Sequence, residues 1–235
     1  VSNALSLEER QQLLDMYSGL RVADISDGMD WNMLHDLGLV DRRIGPLARG
    51  MGFVGLAKTV RYIPPNQKIP AMTPDEYSDY VGYWYSEVCP YPIGDVVEQG
   101  DVICVDASNL DAGLLGSENV LRFVNQGAVG VVTNGGCRDT DEVIAQGCAV
   151  FSRWVSRTMV QGRLQFSDMM NPVDLGGVQV RPCDIVAADG DGVIVVPLEK
   201  AEQVAKYARR ELSKDKAARR RLYEQAGKPL DDSVT

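Results

Sequence analysis

Apolar positions near the start of the chain recur at helical spacing. Leu13, Leu14 and Tyr17 share one face of a helix predicted over Leu7–Gly19. Ser6 is placed to cap it, Glu9 completes a capping box, and Leu5 can pack back on the first turn as a hydrophobic staple. A second helix is predicted over Val22–Leu37, broken near Gly38. Gly50–Val60 reads as a strand that closes at Ile63-Pro64-Pro65. From residue 95 the pattern becomes regular. A strand over Val102–Asp106 precedes a helix over Ser117–Gln126, and a strand over Ala128–Thr133 is closed by Asn134-Gly135-Gly136. A helix over Thr140–Gln146 and a short strand over Ala149–Phe151 follow. These strands are apolar without polar alternation, as in sheets covered on both faces, and their alternation with helices predicts a layered α/β fold. Val178–Val180 and Ile185–Ala188 flank Pro182. Val193–Val196 completes a hairpin across Asp189-Gly190-Asp191-Gly192. One long charged helix, Glu199–Ala226, ends the pattern.

Residues 64–94 depart from this rhythm. Tyr77, Tyr80, Val81, Trp84 and Tyr85 fall on a roughly helical repeat over Asp75–Val88, followed by Cys89-Pro90-Tyr91-Pro92. The stripe suits a helix packed on the body, and it also suits a lid or a subunit contact.

Composition narrows the class. With 235 residues, 45% of them hydrophobic, the chain can bury a core without disulfide or metal staples, as a single domain over residues 5–230. The formal net charge of -9 argues against wrapping a phosphate backbone, so no nucleic-acid partner is expected. The basic residues of the last helix, Lys206, Arg209, Arg210, Lys214, Lys216, Arg219, Arg220 and Arg221, then read as a solvated face. The five cysteines are widely spaced without a CxxC pair, which suits reduced thiols in the cytoplasm better than a disulfide framework or thiolate zinc. No run of about 18 apolar residues suggests a membrane span. Val1–Ala4 does not read as a signal peptide, and Ser2-Asn3-Ala4 has the look of an expression remnant.

The candidate chemistry centres on Asn134-Gly135-Gly136-Cys137-Arg138-Asp139. Two glycines after a buried strand allow a turn that side chains would block. Arg138 and Asp139 then emerge at the strand's carboxyl end, where ligands commonly sit in open α/β sheets. Arg138 can grip a carboxylate through two parallel hydrogen bonds, and Asp139 can offer oxygen to Mg²⁺ or Mn²⁺. A surface Arg–Asp pair capping the next helix is the plain alternative. A second loop, Gly113-Leu114-Leu115-Gly116-Ser117-Glu118-Asn119, opens a helix whose first N–H groups favour an anion; its plain alternative is a cap by Ser117. A 2-oxo acid needs both features, a carboxylate cradle and a metal for its keto oxygen. His35, the single histidine, reads as structural, and Cys137 as a packing residue.

Several segments together resemble one family: Gly116-Ser117-Glu118-Asn119, Gly127-Ala128-Val129-Gly130-Val131-Val132, Gly135-Gly136-Cys137-Arg138-Asp139, Gly176–Asp184 and Ala188–Val193. They resemble the RraA-like proteins, which include class II 4-hydroxy-4-methyl-2-oxoglutarate / 4-carboxy-4-hydroxy-2-oxoadipate aldolases and a ribonuclease regulator. The resemblance covers roughly residues 20–230 outside 64–94. It implies an RraA-like α/β sandwich with a long C-terminal helix, and a metal-dependent lyase that yields pyruvate from a small 4-hydroxy-2-oxo acid. It implies oxaloacetate decarboxylation through the same enolate. It implies Asp139 as ligand to Mg²⁺ or Mn²⁺, and Arg138 on the pyruvyl carboxylate. Gly116, Ser117, Glu118 and Asn119 would form the substrate loop, and Asp215 would be an acid from a neighbouring subunit of a homotrimer or homohexamer. Where the family carries an acid after the loop glycine, this chain has Ser117, with Glu118 next to it. The resemblance equally admits a non-enzymatic regulatory or binding protein.

Overall fold

The computed structural model describes residues 5–235; Val1–Ala4, with the remnant read there, lies outside the described residues. Helix α1 (Leu7–Tyr17) begins where Ser6 and Glu9 exchange bonds, with Ser6 N donating to Glu9 Oε2 at 2.7 Å. Helix α2 (Val22–Asp30) is shorter than its apolar pattern predicts. The chain leaves it at Trp31, and Met33 and Asp36 take left-handed backbone at φ 60° and 58°, which a continuing helix cannot contain. Strand β1 (Gly45–Pro46) precedes β2 (Phe53–Ile63), which runs up to the proline pair. Helix α3 (Pro74–Tyr83), capped by Thr73 with Glu76, passes into a π-helical turn at Trp84–Val88. Then come β3 (Asp101–Asp106), β4 (Gly113–Leu115), α4 (Ser117–Asn125), β5 (Ala128–Cys137), α5 (Thr140–Ala145) and β6 (Val150–Val155). Four strands follow, β7 (Gln165–Met169), β8 (Val173–Leu175), β9 (Val178–Val180) and β10 (Ile185–Asp189). The chain continues through β11 (Gly192–Val196) to α6 (Ala201–Gln225).

The main sheet has the order β1-β6-β5-β3-β2-β10-β11, with β4 added to β5 and β7 to β2. Strands β2, β3, β5 and β6 pair in parallel, while β10 is antiparallel to both β2 and β11. Leu39 bridges Ile194 and Val40 N donates to Val193 O, so the segment leading into β1 draws the two sheet edges together and the sheet nearly closes. Strands β1, β4 and β8 escape a reading by periodicity because two or three residues carry no period.

Strand alternation explains why the sequence shows no polar face. Ile103, Val105 and Val131 pack under α4 and the aromatic segment, while Val102, Cys104 and Val132 point into the concave side with Phe53 and Phe151. On β10 and β11, Ile185, Ala187, Ile194 and Val196 pack against α1, α2 and α6, and Val186, Ala188, Val193 and Val195 face the concave side. Strands β3, β5, β10 and β11 are buried on both sides, so along them alternation sorts residues between cores and not between core and water. Helices α2 and α6 touch at Gly28, where a Cβ would meet Val204 O at 2.5 Å. Along α6, Ala201, Val204, Ala205, Ala208 and Leu212 are buried. Of the basic residues of that helix, Arg209 donates across to Met16 O and Ser18 O at the end of α1, and Arg210 lies over the Trp31 and Tyr207 rings. Of the aromatic stripe, Trp84 is fully buried and donates to Leu164 O at 3.1 Å, and Tyr80 and Tyr85 pack partly buried against the same core, while α3 itself buries no residue.

One local expectation is overturned. Gly135 and Gly136 do not end the strand in a turn; β5 continues through them to Cys137. Their missing side chains serve close approach. A Cβ on Gly135 would lie 2.5 Å from Ala107 Cβ, and one on Gly136 would lie 2.6 Å from Ala112 O and 2.7 Å from Ser156 Cβ. Gly135→Ala is expected to lower stability by about 1–3 kcal/mol through overpacking, read as a fall in the urea midpoint at unchanged slope. A midpoint within error of wild type would mean that the layer yields freely there.

Candidate active site

The carboxyl end of β5 is held by Asn134, which is fully buried. Its amide donates to Asp106 Oδ1 at 2.8 Å and to Asp174 O at 2.9 Å, and its Oδ1 accepts from Ala107 N at 2.6 Å. Strands β3, β5 and β8 are thereby tied together at the end where ligands collect in α/β sheets. Past Gly136, β4 joins the free side of β5, pairing Gly113 with Gly136 and Leu115 with Cys137. Arg138 N donates to Leu115 O at 2.9 Å, which registers the Arg-Asp pair against the loop that opens α4.

Both predicted segments line one cleft of about 390 Å³, with Gly113, Leu114, Gly116, Glu118, Asn119, Arg138 and Asp139 in its wall. Two glycines make the fit possible. A Cβ on Gly113 would meet Arg138 Cδ at 2.8 Å, so the arginine stem lies across the bare backbone. A Cβ on Gly116 would meet Asp139 Oδ2 at 2.7 Å. Asp139 stands in left-handed backbone, φ 54° and ψ 38°, at the start of α5, a conformation Asp tolerates better than most residues. Its carboxylate is lightly engaged: Oδ2 accepts from Ser117 N at 3.4 Å and Oδ1 lies 3.6 Å from Arg138 Nε.

The α4 N-terminus therefore differs from the expected anion cradle. Its cap is Gly116, not Ser117, and the anion already seated there is Asp139 itself. Asn119 is occupied at both ends, accepting from Gly116 N at 2.8 Å and donating to Leu114 O at 3.1 Å, so it shapes the loop. Glu118 is exposed in the cleft wall. Asp215 does not join this cleft within one chain; it lies on α6 beside Arg21 at 3.5 Å and Arg219 at 3.4 Å. His35 sits apart, exposed and bonded to Asp30 at 2.9 Å.

Three further side chains complete the cleft: Tyr85 and Tyr91 of the aromatic segment, which the sequence did not assign to a site, and Arg122, which no pattern singled out. Tyr91 donates its hydroxyl to Leu114 O at 2.6 Å, and burial pushes its pKa well above the ordinary tyrosine value, so it remains a neutral donor. Arg122 lies one helical turn after Glu118 on α4, a spacing that puts both on one face.

A family model described as RraA-like, Aldolase/RraA, matches residues 22–195. Protein DlpA of Legionella pneumophila is 25% identical over 203 residues, which cover 86% of this chain and 30% of DlpA. A protein of Halalkalibacterium halodurans named "Putative 4-hydroxy-4-methyl-2-oxoglutarate aldolase" is 29% identical over 124 residues, covering 52% of this chain and 59% of that protein. The chain thus spans less than two thirds of the length of both curated relatives. RraAS2 of Streptomyces coelicolor, described as an unusual member of the RNase ES inhibitor RraA protein family, superposes with a TM-score of 0.72 at 25% identity. That superposition covers 89% of this chain and 98% of RraAS2.

Cys137 adjoins Arg138 but is buried, and burial, with a smaller push from Asp139, raises its thiol pKa to about 12. It is a packing residue and not a nucleophile. In native protein at pH 8, a maleimide should modify the half-buried Cys183 first and reach Cys137 only on unfolding, as followed by peptide mass spectrometry. Equal labelling rates at the two positions would contradict the packing role.

Proposed function

Since the chain belongs to the RraA-like family, we propose that it is a divalent-metal-dependent lyase that cleaves a small 4-hydroxy-2-oxo acid to pyruvate. One observation carries the reading: Arg138 and Asp139 leave a single strand end into a cleft whose glycines make room for both side chains.

The donor set suits a hard ion. Among the described residues no group of three or more His, Cys, Asp or Glu could enclose a metal. Mg²⁺ keeps several waters and binds through one or two carboxylates, which is what Asp139 offers with its loosely held oxygens. Asp139 would hold Mg²⁺ or Mn²⁺, and the bound ion supplies Lewis acidity toward a 2-oxo oxygen. Arg138 receives the substrate carboxylate in a bidentate grip and offsets the negative charge that develops as the enolate forms. The C4 hydroxyl loses its proton and closes to a carbonyl as the C3–C4 bond breaks with its electrons drawn toward C2, the C4 half leaves as an oxo compound, and a proton returned to C3 gives pyruvate. Glu118 is the cleft acid within this chain that can hold such a proton, and Asp215 of an adjoining copy is a second. Oxaloacetate decarboxylation leaves the same enolate, so the same groups serve it. Self-association as a trimer or hexamer, with the site at the subunit boundary, belongs to this reading because Asp215 of the same chain lies outside the cleft. No described helix is long and apolar enough to cross a membrane. A regulatory protein on this scaffold is the competing reading, supported by the description of RraAS2.

Turnover of 4-hydroxy-2-oxo acids and oxaloacetate should vanish with chelator and return with Mg²⁺ or Mn²⁺; chelator-insensitive turnover would remove the metal from the mechanism. Asp139→Asn is the cleaner probe because Asn tolerates left-handed backbone, and it should abolish turnover without shifting the melting temperature. Asp139→Ala should also abolish turnover, and it adds a backbone penalty of about 1–2 kcal/mol. Arg138→Ala is expected to cost at least about a hundredfold in turnover, the loss typical of one oxyanion donor. Arg138→Lys should recover little, since the planar fork is gone. A surface ion pair would instead move stability by about 1 kcal/mol or less and leave the rate alone. Near-wild-type kcat/KM for Arg138→Ala would take Arg138 out of the site.

A further inference from the structure

The mechanism leaves one charged group of the cleft without a duty. Arg122 projects from α4 into the wall that Arg138 and Asp139 also line. Its Nη2 donates to Tyr91 O at 3.0 Å, which uses one of five N–H donors. Among the described residues it forms no ion pair, although Glu118 lies one helical turn away. The guanidinium rests on Gly94, where a Cβ would come within 2.7 Å of Nη2 and 3.2 Å of Nε. A backbone carbonyl and a bare glycine thus hold the cation in place, with most of its donors uncommitted.

We infer that Arg122 is a specificity-determining residue that binds a second carboxylate, at the end of the substrate remote from the 2-oxo group. This rests on the lyase reading, since Arg138 and Asp139 must take the pyruvyl half. The cleft volume of about 390 Å³ suits a five- or six-carbon acid. Two guanidinium groups from different elements, one after β5 and one on α4, match a dianion with separated charges better than an acid with an apolar tail. The segment at residues 64–94 enters here, because Tyr91 and the short helical turn at Pro92–Val96 supply the carbonyl and the glycine that hold Arg122.

The test compares acids that differ only in the terminal group. With Mg²⁺ present, calorimetry should find 2-oxoglutarate bound at least about tenfold more tightly than 2-oxopentanoate, as one charge-assisted contact provides. Arg122→Gln should bring the two dissociation constants within about twofold of each other, and Arg122→Lys should keep part of the difference. Gly94→Ala leaves the charge but displaces the guanidinium, so it too should shrink the ratio. A merely structural Arg122 predicts an equal loss for both acids together with a lower melting temperature, and that result overturns the inference. An unchanged ratio in Arg122→Gln overturns it, as does failure of both acids to bind wild type. Turnover of 4-hydroxy-2-oxoglutarate against 4-hydroxy-2-oxopentanoate separates the two proposals. No turnover of either, with a ratio that collapses in Arg122→Gln, removes the lyase reading and keeps the subsite. Turnover of both with a ratio indifferent to Arg122 does the reverse.

Discussion

The site depends on two consecutive residues of β5 that have no side chains. Gly135 and Gly136 let Ala107, Ala112 and Ser156 close on the strand at distances no Cβ could share. The strand shifts register against β6 between Thr133 and Gly136, and β4 takes up the pairing on the other side. Interiors pack too tightly to absorb an added methyl group without displacement, so any side chain here would push the strand end away from the loop it registers. Asn134, buried just before the glycines with its amide fully used, prevents the weakened strand from slipping.

From that strand end the chemistry follows by contact. Arg138 lies across Gly113 and Asp139 sits against Gly116, so each charged side chain is received by a position that could hold nothing larger. The start of α4 takes the Asp139 carboxylate as its anion. This keeps the carboxylate in the cleft while leaving its oxygens only weakly bound, the condition on which the proposed metal role of Asp139 rests. The left-handed turn at Asp139 aims the side chain back toward the loop, and α5 continues away from it.

The aromatic segment is the feature by which this chain shapes its own cleft. Trp84 anchors it to the core, and the chain that follows brings Tyr91 to Leu114 O and its own carbonyl to Arg122. This stretch therefore braces the Gly113–Asn119 loop from behind and sets the position of a second cation in the cleft.

The sequence alone determined much of this. Local signals, namely the Ser6–Glu9 box, the apolar runs, the Gly-rich hairpin and the long charged run of the last helix, named most elements, because each is a property of a few neighbouring residues. Continuous apolar strands announced a sheet covered on both sides. The Arg138–Asp139 pair and the Gly113–Asn119 loop stood out as candidate chemistry because one follows a buried strand at its carboxyl end and the other opens a helix. Tertiary structure decided the rest. Gly135-Gly136 reads as a turn until Ala107, distant in sequence, is seen pressed against it. Met33 and Asp36 cut α2 short although its apolar spacing continues. Short strands such as β4 exist because a neighbour offers bonding partners and not because of their own composition. Arg122 and Tyr91 belong to the cleft only because two distant segments meet over Leu114, and Asp215 stays outside it because α6 packs with α1 and α2. Contacts made across the sequence carry no local periodicity, and that is why no pattern along the chain discloses them.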